Sequence, residues 1–122
     1  MLSDEQKRIA LDNNMKIMSK DAKKLLADGV EEITLTYYAD EISFRKMRLD
    51  VETDDFDFRQ MMTVETAKVM LKHGLDVKVQ VLDADNYFSW LRDRENTYQA
   101  QHDYPGGQHL SGADALALLG IK

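Results

Sequence analysis

Carboxylates crowd one short stretch of this chain. Asp50, Glu52, Asp54, Asp55 and Asp57 fall within eight positions, with no base among them. Hard divalent cations take oxygen ligands, so such a cluster first suggests calcium or magnesium. An EF-hand loop needs a glycine at its sixth position and a carboxylate at its twelfth. Counted from Asp50, those positions hold Asp55 and Met61, so that reading fails. A two-carboxylate magnesium or manganese site remains open, with Asp50 and Asp57 as candidates. The plainer use of these acids is a solvated turn that keeps a sheet edge from pairing with another chain.

A second acidic pair, Asp83 and Asp85, stands where a strand is expected to give way to a helix. In open α/β sheets ligands bind at such places. Helix capping accounts for both residues equally well, because carboxylates are favoured at helix N-termini. The histidines, His73, His102 and His109, are too scattered for metal-ligand spacing, although His102 and His109 flank a Pro-Gly-Gly turn and could meet in space. There is no G-x-S-x-G elbow and no phosphate-cradling glycine loop. No metal and no cofactor is expected.

The tract 44–48, FRKMR, is the densest basic segment on an expected strand. Beside Tyr38 and Phe44 it could stack and grip a single-stranded nucleic acid. The net charge of −6 argues against that partner, and against an anionic membrane surface.

Residues 83–104 concentrate five aromatic side chains, including the only Trp, among Arg, Asn, Gln and His. Read as one helix, they place Ala84, Phe88 and Leu91 on a stripe flanked by Tyr87 and Tyr98. Arg94, Glu95 and His102 continue that stripe, which therefore starts apolar and ends polar. Tyr, Trp and Arg dominate interface hot spots. Tyr87, Trp90, Arg94, Tyr98 and His102 are thus the expected contact surface, for a protein partner or a second copy of the chain. The alternative is that the C-terminal helix folds back over them.

The elements that must position these groups follow from periodicity. Ser3 and Gln6 form a capping-box signature, and Leu11, Met15, Met18, Ala22 and Leu25 give a seam at steps of four and three. This predicts a helix over 4–28, closed by Gly29. Residues 31–38 alternate as a strand. Residues 42–52 resume an apolar pattern with a phase break, so they are expected to pair with 31–38 as a β-hairpin with a bulge near Arg45 and Lys46. The segment 52–62 suits either a short edge strand or a loop. Thr63 is the expected N-cap of a helix ending at Gly74. Residues 75–82 alternate most clearly of all, with Asp76, Lys78 and Gln80 on a polar face that should be at least partly wet. Ser111 and Asp114 form a second capping box before a last helix closed by Gly120.

The order is α-β-β-(β)-α-β-α-α. It predicts one α+β domain over 1–122: a two-layer sandwich with a mostly antiparallel sheet and helices packed on one face. This order is similar to the core of the restriction-endonuclease-like nucleases, which carry an acid and then an acid-x-lysine pair on successive strands. Here Asp57-Phe58-Arg59 has Arg where that Lys belongs, and Asp50 lies at the far end of its strand. The absence of Cys removes disulfides and thiolate chemistry. No apolar run of transmembrane length and no signal-peptide pattern is present, which makes the cytoplasm the expected location. The function these features favour is a non-enzymatic interaction module that self-associates. The alternatives are a metal-dependent hydrolase or nuclease, and an acidic decoy of nucleic acid.

Overall fold

The computed structural model describes residues 3–49 and 55–121. Helix α1 (Asp4–Ala27) begins with the expected capping box. The Gln6 amide donates to Ser3 Oγ at 3.1 Å, and the Ser3 amide donates to Gln6 Oε1 at 2.8 Å. Strand β1 (Glu32–Tyr38) follows, then helix α2 (Glu41–Met47) and helix α3 (Phe56–Lys72). Strand β2 (Asp76–Leu82) lies at the centre of the sheet, between β1 and β3 (Gln108–Leu110). Helices α4 (Ala84–Leu91) and α5 (Tyr98–Asp103) separate β2 from β3, and α6 (Gly112–Leu119) closes the chain. The class is α+β, as expected.

The sheet is mixed. The seven-residue β1–β2 ladder is parallel, from Glu32 opposite Asp76 to Tyr38 opposite Leu82. Only the three-residue β2–β3 ladder is antiparallel. The hairpin expected for 31–52 does not form, because 41–47 is helical. Asp40 Oδ1 accepts from the Ser43 amide at 2.7 Å and starts α2. Ser43, Phe44 and Met47 then point inward, a helical spacing that mimics a bulged strand when read two residues at a time. A parallel pair needs a long crossover, and α2 with α3 supplies it. At three residues, β3 is too short to show any periodicity of its own.

Helix α3 starts seven residues before Thr63. Its cap is Asp55, whose carboxylate accepts from the Phe58 amide at 2.9 Å. Residues 56–62 are therefore neither strand nor loop, and Thr63 is buried within the helix. The single helix expected over residues 84–102 is two helices. Arg92, with φ at 58°, ends α4, and Thr97 caps α5. Tertiary bonds hold the break: Asn96 Nδ2 donates to the Met47 carbonyl at 2.9 Å, and Tyr87 Oη donates to Asn96 Oδ1 at 2.8 Å. Ser111 does precede α6, but its hydroxyl makes no capping bond, so the second capping box is not formed.

Two cores flank the sheet. Val77 and Val79 pack with Ala22 of α1, Ala67 and Met70 of α3, and Ala115 and Leu119 of α6. These residues share the odd-numbered face of the strands. Packing on one face holds for those three helices only. Tyr38 and Leu82 point the other way and gather Phe44, Met47, Ala84, Tyr87, Leu91 and Tyr104 from α2, α4 and the α5 end. The even face is wet at Thr34, Asp76 and Lys78 but covered at Gln80. Gln80 is 4% exposed and donates through Nε2 to the carbonyls of Tyr104, at 2.7 Å, and Gly106, at 2.8 Å. Gly107 completes this loop: its φ is +80°, and a β-carbon there would collide with the Val81 carbonyl oxygen. Among the described residues no helix is long and apolar enough to cross a membrane.

Candidate functional site

Strand β1 is an edge strand, and its register decides which backbone groups face outward. The Asp76 amide donates to the Glu31 carbonyl, and the Ala39 amide donates to the Leu82 carbonyl, both at 2.9 Å. In a parallel ladder this commits the odd residues of β1 to β2. The amides and carbonyls of Thr34, Thr36 and Tyr38 therefore point away from the sheet. Gln60 of α3 takes one of them, donating from Nε2 to the Tyr38 carbonyl at 3.2 Å. The Gln60 Oε1 atom is buried and has no partner among the described residues.

Two clefts lie along this edge. The larger, about 450 Å³, is bounded by Asn14 and Met18 of α1, Leu35 and Thr36 of β1, and Phe58, Met62 and Thr66 of α3. The smaller, about 250 Å³, is bounded by Tyr38, Phe44, Arg48 and Leu49, with Tyr98, Gln101 and His102 of α5 as its other wall. Thr36 and Arg59 line both.

Arg59 is half-buried at the junction. Its guanidinium donates to Thr63 Oγ1 and lies 5.7 Å from the centre of the Tyr38 ring. Among the described residues it pairs with no carboxylate. Other cations of this acidic chain do: Lys7 meets Asp55 at 2.7 Å, Lys46 meets Asp85 at 3.5 Å and Lys78 meets Glu32 at 3.0 Å. Burial pushes the Tyr38 phenol above its ordinary pKa, while the nearby Arg59 charge pulls the other way. The Tyr38 hydroxyl donates to Gln101 Oε1 at 3.3 Å. Gln101 in turn donates to the Met47 carbonyl at 2.8 Å and to Asn96 Oδ1 at 3.1 Å. The wall that carries Tyr98 and His102 is thus fixed from beneath by one buried amide.

The five side chains expected to form a contact surface separate into three groups. Tyr87 is fully buried. Trp90 is half-buried against Tyr87 and Tyr104, with ring centres 6.1 and 5.3 Å away. Arg94 covers its outer face, 4.1 Å from the ring centre, and bonds back to the Trp90 and Leu91 carbonyls at 2.8 and 3.0 Å. Tyr98, 70% exposed, and His102 stand apart on α5, on the lip of the smaller cleft.

The acidic candidates do not converge. Asp83 caps α4, accepting from the Asp85 amide at 3.0 Å and from Asn86 Nδ2 at 3.2 Å. Asp85 is engaged with Lys46. Asp57 is exposed in the first turn of α3, and Asp50 lies outside the described residues. Among the described residues no three His, Asp or Glu side chains are grouped to hold a metal ion. His109 sits 3.1 Å from the Pro105 and Gly106 carbonyls, so it braces its own turn. Arg45 pairs with Glu41 at 3.1 Å, so the basic tract is divided between its own helix, Asp85 and the cleft.

The chain matches no family model, no curated protein and no solved structure. Of the five expected contact residues, Tyr98 and His102 border the smaller cleft, beside Thr36, Arg59 and Gln101, which the residue pattern does not single out as contacts. In the sequence Arg59 stands out only as the residue in place of the Lys of an acid-x-lysine pair. The outward turn of the Thr36 backbone depends on which strand lies beside it.

Proposed function

We propose that this protein is a non-enzymatic interaction module that self-associates through the α5 lip. The supporting observation is Tyr98, 70% exposed on a helix that Gln101 otherwise pins to the body of the fold. A large ring held out on a fixed support loses little freedom on binding, and Tyr is a frequent hot-spot residue. His102 and the neighbouring cleft give such a contact a polar rim. The cysteine-free composition suits a cytoplasmic setting.

Sedimentation velocity over a wide concentration range tests the reading. The mass of the wild-type chain should rise with concentration. Tyr98→Ala should weaken assembly by about thirtyfold, the effect of losing a contact worth about 2 kcal/mol, with an unchanged circular dichroism spectrum. A wild-type chain that stays monomeric throughout refutes self-association. Equal assembly in the two proteins refutes the lip as the interface.

A further inference from the structure

We infer that the two clefts joined at Arg59 form one binding site for a small organic carboxylate. This goes beyond self-association, because it concerns the floor of the clefts and not their rim.

Three features carry it. The first is Arg59, a half-buried cation that meets no acid among the described residues, in a chain of net charge −6. A half-buried guanidinium given a hydroxyl and a ring by the described residues has donors to spare, since it carries five in a planar fork. That fork fits the two oxygens of a carboxylate. The second is the Thr36 backbone, whose amide and carbonyl are turned out of the sheet and bonded by no described residue. Thr36 borders both clefts, so a ligand there meets a donor and an acceptor at fixed positions. The third is the wall of the larger cleft, where Met18, Leu35, Phe58 and Met62 offer apolar surface to the body of a ligand.

Charge count selects the carboxylate over phosphate. Arg59 supplies one positive charge at the junction, which balances a monoanion. Arg48 borders only the smaller cleft and is already engaged. A phosphate dianion would leave charge uncompensated inside an acidic protein. The apolar wall has no counterpart in free phosphate but matches a short hydrocarbon chain.

Amide chemical shifts of the wild-type protein, titrated separately with hexanoate, 1-hexanol and inorganic phosphate, provide the test. Hexanoate should give saturable shifts at Thr36, Thr63 and Thr66. Hexanol should bind at least about tenfold more weakly, since a bond to a charged partner is at stake. Arg59→Met keeps an unbranched apolar side chain without the charge and should lose roughly tenfold or more in hexanoate affinity; Arg59→Lys should lose less. The hexanoate and hexanol comparison uses the native chain, so it holds even if a variant folds poorly. The inference is overturned if hexanol binds as tightly as hexanoate, if phosphate displaces hexanoate from Thr36, or if hexanoate shifts are absent or fall elsewhere. None of these outcomes bears on Tyr98 or on sedimentation, so the two readings fail separately.

Discussion

Gln80 offers the sharpest test of how this fold holds the loop that leads into β3. It lies on the even face of the central strand, 4% exposed, and one amide nitrogen serves the carbonyls of Tyr104 and Gly106. Those carbonyls begin the loop that returns the chain from α5 to β3. Gln80→Leu keeps the approximate shape and removes both donors. Each bond contributes about 1 kcal/mol net, and a carbonyl left buried without a donor costs about 1–3 kcal/mol. The Gly106 carbonyl keeps His109 nearby at 3.1 Å, so the Tyr104 carbonyl bears most of the loss. The expected destabilisation is about 2–3 kcal/mol, a large share of the roughly 5–15 kcal/mol typical of a domain. Gln80→Glu adds a signature in pH. Burial and two facing carbonyls favour the neutral acid, so the folded pKa lies above the unfolded value of about 4.3. Below that value both states are protonated and the variant is at its best. As pH rises the unfolded chain ionises first, and stability falls by up to about 1.4 kcal/mol per pH unit until the folded pKa is passed. Urea unfolding followed by circular dichroism between pH 4 and 8, with the wild type as control, measures both effects. A Gln80→Leu loss under about 1 kcal/mol, or a Gln80→Glu slope equal to that of the wild type, refutes the reasoning.

Two more perturbations probe neighbouring parts of the structure. Arg92 holds φ 58° and ψ −121°, a region open to glycine and costly for other residues. Arg92→Gly should stabilise the protein by about 1 kcal/mol in urea unfolding, and a loss of stability would mean that the arginine side chain matters more than the backbone. Asp55 is held below its ordinary pKa by its bond to Lys7 and by the Phe58 amide. Its contribution is present above the unfolded value of about 3.8 and is lost as pH falls through the lower folded value. An acid-unfolding curve should therefore show less loss below pH 4 in Asp55→Ala than in the wild type, from a starting point about 1 kcal/mol lower through the missing cap; parallel curves would show that Asp55 is not linked to folding.

The surroundings of the two clefts are only partly legible in the chain. Tyr98 and His102 are exposed residues of suggestive type, and nothing in the fold conceals them. Tyr87 and Trp90 read the same way, yet the fold turns one wholly inward and stacks the other under Arg94. Residue type alone cannot separate a hot spot from a core ring, since both bury aromatic surface. Gln80 shows the converse. A polar residue in an alternating strand reads as wet, but the Tyr104–Gly106 loop covers it and uses its amide.

Periodicity by itself determined α1, β1, β2 and the last helix, because each spans enough residues for one face to be sampled several times. It also determined that the class is α+β, and composition determined that cysteine chemistry is absent. Short segments escaped it: within seven residues at 41–47, and over the first turns of α3, helical and bulged-strand patterns are hard to tell apart. Asp40 and Asp55 resolve the choice through capping bonds that exist only once the backbone has turned. Tertiary structure alone decided that β1 runs parallel to β2, and with it that the Thr36 amide and carbonyl point away from the sheet. Strand direction is set by the crossover of α2 and α3 and by the packing of Val77 and Val79 against three helices. Those are long-range contacts, so no local stretch of sequence could encode the cleft edge they create.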